Sequence, residues 1–173
     1  RFWHRFLYDQ GVVPTNEPYQ WRMNGGILLG PDGSKMSKSV GNVIEPQEKL
    51  DMYGADAMRM YISFLGPYNG AFPYNESSLQ VCHKLMKSIY DYRLKVGEGE
   101  NPELKKSLHK AIKNVSEMAE DMKMNTIVSE YMIFAKELKD ADVIPVGVWK
   151  DFIKLIAPIA VFTAEELWQD VNG

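Results

Sequence analysis

Gly30-Pro31-Asp32-Gly33-Ser34-Lys35-Met36-Ser37-Lys38-Ser39-Val40-Gly41-Asn42 is the stretch on which the reading of this chain turns. It is polar, flanked by glycines, and carries two ammonium groups, Lys35 and Lys38, with hydroxyls at Ser37 and Ser39. Asp32-Gly33 signals a turn and Gly41-Asn42 closes the segment. Nothing in it is suited to a core. The apolar run Ile27-Leu28-Leu29 precedes it, so a short buried strand delivers the chain to the loop. Two lysines on such a loop suit the neutralisation of charge growing on a polyphosphate, because lysine is a mobile point charge. The plainer alternative is a solvated loop with ordinary surface lysines.

Working outward, residues 1–10 read as a helix stopped by Gly11, with Trp3, Phe6 and Leu7 on one face. Tyr19 to Leu29 reads as one or two short strands around Gly25-Gly26. Glu45-Pro46 opens a short helix that Gly54 ends, since proline is tolerated in a first helical turn. Asp56 is placed to cap a next helix over 57–65, and Arg59 is expected either to pair with it or to contact an RNA stem. Pro67 to Tyr74 is rich in Pro, Gly, Asn and aromatics and is taken as a domain boundary.

Beyond it the period becomes helical. Leu79, Cys82, Leu85, Met86, Ile89 and Tyr92 form one stripe; Leu104, Leu108, Ile112, Val115 and Met122 form a second. A third starts near Asn125-Thr126, a fourth carries Trp149, Phe152, Ile153 and Ile156, and Pro158 ends or kinks it. A last stretch carries Phe162, Leu167 and Trp168. Four to five amphipathic helices with short connections predict a helical bundle whose methionine and aromatic stripes are core.

Composition sets limits. The 173 residues suffice for one domain or parts of two, and 45% hydrophobic content is ordinary for a globular chain. One cysteine, Cys82, excludes an internal disulfide and fits a reducing cytoplasm. No apolar run reaches the roughly 18 residues of a membrane span, and no secretory leader is evident. The chain does not start with Met, which fits a piece of a longer protein. Net charge is −3, but residues 83–113 hold eight Lys/Arg against four acids, and residues 114–173 five Lys against eleven acids. Such asymmetry suits a one-sided RNA contact; an ordinary solvated helix face fits equally.

Several of these stretches resemble class I aminoacyl-tRNA synthetases, and among them the leucyl enzymes most. The residues that carry this are Arg1 to Asp9 with Gly11-Val12-Val13-Pro14, Lys35 to Asn42, Tyr53-Gly54-Ala55-Asp56-Ala57-Met58-Arg59, Phe64 to Asn69, and Leu155 to Pro158 with Ala164 to Trp168. The resemblance implies a mainly α chain. Residues 1–67 would be the end of an α/β, Rossmann-like catalytic domain with the lysine loop and stem-contact helices. Residues 68–173 would be a helical bundle of the anticodon-binding type. It implies ATP, with Mg2+, as a substrate of the intact enzyme, leucine and tRNA(Leu) as the other substrates, and no tightly held cofactor or resident metal.

Lys38 would contact ATP directly, with Lys35 as its helper, and Met36, Ser37 and Ser39 would complete the ATP-binding loop. Lys84, Lys87, Arg93, Lys95, Lys106, Lys110 and Lys113 are the candidate tRNA contacts. Lys106, Lys110 and Lys113 share one helix face. No obligate protein partner and no membrane are implied. One element of the family pattern is missing: His4, His83 and His109 occur singly, and none stands in a His-x-Gly-His motif. The chain alone is therefore not expected to aminoacylate. Isoleucyl, valyl or methionyl enzymes, or a non-catalytic tRNA-binding module, remain open.

Overall fold

The computed structural model describes residues 1–172. Along them run α1 (Phe2–Asp9), β1 (Ile27–Leu29), α2 (Pro46–Tyr53), α3 (Ala55–Phe64), β2 (Ala71–Pro73), α4 (Glu76–Asp91), β3 (Val96–Gly97), α5 (Pro102–Glu120), α6 (Met124–Asp140), β4 (Ile144–Pro145), α7 (Val146–Ile156) and α8 (Val161–Asn172). A single 3-10 turn, Tyr92–Lys95, separates α4 from β3. The mainly helical expectation holds.

Strand β1 lies where the sequence placed it, and β2, β3 and β4 lie where it suggested none. β1 pairs in parallel with β2, Ile27 opposite Ala71 and Leu29 opposite Pro73. The stretch Pro67 to Tyr74 thus contributes a strand rather than only irregular chain. Gly26 permits this approach: a Cβ there would lie 1.5 Å from the Gly70 carbonyl oxygen. Residues 19–26, expected to hold strand, carry none; regular pairing begins only at Ile27. The second pair, β3 with β4, ties the end of the 3-10 turn to the entry of α7.

The core is a single apolar cluster. Leu79, Cys82 and Ile89 of α4, Leu108 of α5, Val128 and Leu138 of α6, Trp149 and Phe152 of α7 and Leu167 of α8 are all buried in it. So are Ala57, Met60 and Tyr61 of α3, which packs against α4 and α6. The helix after the lysine loop therefore shares its core with the bundle. Internal hydroxyls are satisfied: Tyr131 donates to the Leu155 carbonyl at 2.7 Å, and Tyr61 accepts the Asn75 amide at 2.7 Å.

Asp56 does not cap its own helix. α3 starts at Ala55 with Gly54 as its N-cap, and the Asp56 carboxylate, 7% exposed, turns to the start of α8. It accepts the Thr163 amide at 2.6 Å, the Thr163 hydroxyl at 2.7 Å and the Phe162 amide at 3.3 Å. These amides belong to the first turn of α8 and have no acceptor within their own helix. Arg59 pairs with the same carboxylate and donates from Nε to the Ile159 carbonyl at 2.9 Å, in the corner between α7 and α8. The ion-pair alternative for Arg59 is the one realised.

Asp56→Ala should therefore destabilise the fold by about 2–4 kcal/mol, combining a lost cap with lost charged hydrogen bonds. Thr163→Val, which keeps the amide bond, should cost roughly 1 kcal/mol. Equilibrium urea unfolding followed by far-UV circular dichroism checks both.

Candidate functional site

The lysine loop is two turns held by one asparagine. The first is a reverse turn in which the Gly33 amide donates to the Gly30 carbonyl at 2.9 Å, with Pro31 at a position that suits its fixed φ. Lys35 then bridges back antiparallel to Leu29, and the Gly30 amide donates to the Ser34 carbonyl at 2.8 Å. The second turn spans Ser37 to Gly41. Val40 and Gly41 donate to the Ser37 carbonyl, and Gly41 closes it at φ +75°.

Asn42 fastens the two turns together. Its Oδ1 accepts the Ser37 amide at 2.8 Å, and its Nδ2 donates to the Ser34 hydroxyl at 2.7 Å and the Lys35 carbonyl at 3.3 Å. Asp32 completes the hub, accepting the Ser34 hydroxyl at 2.8 Å and the Ser34 amide at 3.1 Å. Gly30 leaves room for this: a Cβ there would lie 2.7 Å from Asp32 Oδ1 and 2.9 Å from Asn42 Nδ2. The sequence marked Asp32 and Asn42 only as turn residues. Their joint role depends on a pairing across ten positions that no local signal reports.

Within this frame the candidate residues divide by role. Met36 and Ile44 are partly buried against the core and pin the loop on either side. Ser37 and Ser39 share a hydrogen bond between their hydroxyls at 2.8 Å. Lys35 and Lys38 are exposed, and neither ammonium has a hydrogen-bond or ion-pair partner among the described residues. The loop spends its polar groups on its own shape and leaves the two cations free.

The candidate RNA-facing residues are not brought together. Lys84 and Lys87 are exposed on α4, and Lys106, Lys110 and Lys113 are exposed on α5. α4 packs on α3, α6 and α8, whereas α5 packs on α6 and α7, so the two lysine rows stand on helices with different sets of neighbours. Lys113 lies 3.9 Å from Glu117 in an exposed i,i+4 pair, a contact of little weight.

Arg93 and Lys95 have internal partners instead. Arg93 stacks on the Tyr90 ring at 3.9 Å, donates to the Tyr90 carbonyl at 2.9 Å and approaches Asp170 of α8 at 3.7 Å. Lys95 donates to the Lys139 carbonyl at 2.6 Å and the Ala141 carbonyl at 2.9 Å, supplying the cation that a helix C-terminus favours. Sequence position gave both residues a basic surface role because Asp170 and the α6 carbonyls they reach lie 44 or more residues away.

Two of the histidines, His83 and His4, likewise have internal partners. His83 Nδ1 donates to the Tyr53 carbonyl at 2.9 Å, its ring edge-on to Tyr53, and His4 Nε2 lies 2.8 Å from the Thr15 carbonyl.

Residues 1–75 match the class I tRNA synthetases (I, L, M and V), and residues 101–173 match the anticodon-binding domain of tRNA ligases. The chain thus carries a class I tRNA synthetase segment followed by an anticodon-binding domain segment. Among solved structures it is similar to the LeuRS AgnB2 of Agrobacterium radiobacter K84, crystallised as a ternary complex with tRNA and LeuAMS. That similarity has a TM-score of 0.83 at 25% sequence identity and covers 99% of this chain and 25% of that one. The chain thus spans about a quarter of the length of the LeuRS it matches.

The Asp32 carboxyl is held below the ordinary aspartate range, first by the Ser34 hydroxyl, then by the Ser34 amide, against a smaller opposing effect of burial. A folded value below the unfolded one means that the anion supports the turn at neutral pH. That support is lost as pH falls through the folded value. The Ser34 amide resonance should titrate with a midpoint below the ordinary aspartate range, and Asp32→Asn should abolish the transition. Asn42→Ala should speed exchange of the Ser37 amide by about tenfold or more while leaving α5 and α6 protected.

Proposed function

We propose that this chain provides the ATP-handling lysine loop and a tRNA-binding helical bundle to a leucine–tRNA ligase. The observation that carries the reading is the pair of partnerless ammonium groups on a loop whose other polar groups are engaged in holding its shape. In the proposed reaction the leucine carboxylate oxygen attacks the α-phosphorus of ATP. The bond to the bridging oxygen breaks, and pyrophosphate leaves as leucyl-adenylate forms. Lys38, helped by Lys35, binds the oxygens that gain charge as that bond breaks, while Ser37 and Ser39 hold the turn that presents Lys38. A terminal ribose hydroxyl of tRNA then attacks the leucyl carbonyl and AMP departs. Mg2+ accompanies ATP as part of the substrate.

Leucine is favoured over isoleucine, valine or methionine by the Phe64 to Asn69 stretch and by the likeness to a LeuRS solved with tRNA and LeuAMS. The family description also spans the I, M and V enzymes, which form the second reading. On the RNA side, Lys84 and Lys87 and the row Lys106, Lys110 and Lys113 are the proposed phosphate contacts. Arg93 and Lys95 act by holding α4 and α6 in place. The single buried cysteine, Cys82, suits a cytoplasmic enzyme.

In the intact enzyme, Lys38→Ala should lower leucine-dependent ATP–pyrophosphate exchange by roughly 100-fold or more, with leucine KM nearly unchanged. An unchanged exchange rate removes Lys38 from the chemistry. Charge reversal at Lys106, Lys110 and Lys113 should weaken tRNA binding and reduce the slope of log Kd against log salt by about two to three. An identical slope would place the RNA elsewhere.

A further inference from the structure

The lysine loop continues through Val43, Ile44 and Glu45 directly into α2, and α2 has no buried residue. Ile44 and Tyr53 touch the core only in part, and the polar attachment of α2 to the bundle converges on one side chain, Glu76, in the first turn of α4. Glu76 accepts from the Tyr53 hydroxyl at 2.7 Å and lies 2.9 Å from the Lys49 ammonium, both on α2, and it also accepts the Tyr74 hydroxyl just beyond β2. The Lys49 side chain is only 18% exposed, so this pair is shielded from water in a way most surface pairs are not. Glu76 sits where a helix favours a negative charge, and Asn75 caps the same turn by accepting the Ser78 amide at 3.0 Å. His83, about two turns further along the same face of α4, holds the Tyr53 carbonyl that ends α2.

We infer that Glu76 is a positioning residue for the lysine loop: it clasps α2, through Lys49 and Tyr53, to the first helix of the bundle, and so fixes where Lys35 and Lys38 stand. This inference deepens the reading of the loop given under Proposed function and rests on it. α3 is fixed to the bundle by its own buried side chains, and the loop has its own hub in Asn42. The clasp governs the segment between them, whose apolar side chains Ile44 and Tyr53 are only partly buried.

The test is amide hydrogen exchange, read by mass spectrometry on the chain itself, comparing residues 42–53 with α5 and α6. Glu76→Ala should speed exchange over 42–53 by about tenfold or more and leave α5 and α6 at wild-type protection. Lys49→Met should do the same to a smaller degree, and Lys49→Arg, which keeps the charge, should restore protection. Unchanged exchange over 42–53 overturns the inference. Equal acceleration in every helix also overturns it, since Glu76 would then be only a general contributor to stability. If Glu76→Ala does not fold, Lys49→Met and Tyr53→Phe carry the same expectation with the carboxylate in place. ATP does not enter this measurement. A loosened segment combined with normal pyrophosphate exchange in Lys38→Ala would therefore sink the catalytic reading and leave the clasp standing.

Discussion

The carboxylate of Asp56 caps a helix that starts 105 residues later in the chain, and the arrangement of the molecule depends on that junction. Asp56 and Arg59 together supply partners to the first amides of α8 and to the carbonyl at the α7–α8 corner. Each of these groups would otherwise be an unpaired polar atom near the core, at a cost of about 1–3 kcal/mol apiece. Beside the junction, Met60 and Tyr61 enter the same apolar cluster as Trp149 and Phe152. The segment that carries the loop is thereby built into the bundle. The proposed phosphate chemistry on the loop and the proposed RNA contact on the helices would then be served by a single packed body.

The loop shows a division of labour that follows from its composition. Short polar side chains, Asp32, Ser34, Ser37 and Asn42, bond to one another and to the backbone within the loop. The long cationic ones, Lys35 and Lys38, are left without partners. A loop ordered in this way meets a polyanion without first breaking ion pairs of its own. Little ordering entropy then has to be supplied when the ligand arrives.

Local patterns were legible where the interaction was local. The helical stripes of α4 to α8 came from spacing alone, because their apolar faces meet one core. The turns around Gly33 and Gly41 came from glycine and Asx chemistry. What the sequence hid was every decision made over long separations. Asp56 read as the cap of its own helix because a carboxylate before an apolar run is the usual signal, yet Gly54 took that position and freed Asp56 for α8. β2 went unseen because Ala71-Phe72-Pro73 is too short to signal a strand without β1 beside it. Lys95 read as surface charge, since nothing nearby announces a helix end 44 residues away, and Arg93 likewise because its approach to Asp170 spans 77 residues. The free lysines of the loop were found by motif, and their freedom became visible only once Asn42 was seen to satisfy the rest of the turn.

The most direct test of the account is ATP–pyrophosphate exchange by the intact enzyme, run with each of the twenty amino acids in turn. The account predicts exchange driven by leucine and by no other amino acid at comparable efficiency. Exchange driven by isoleucine, valine or methionine would contradict the substrate assignment, and no exchange with any amino acid would contradict the catalytic role of the lysine loop.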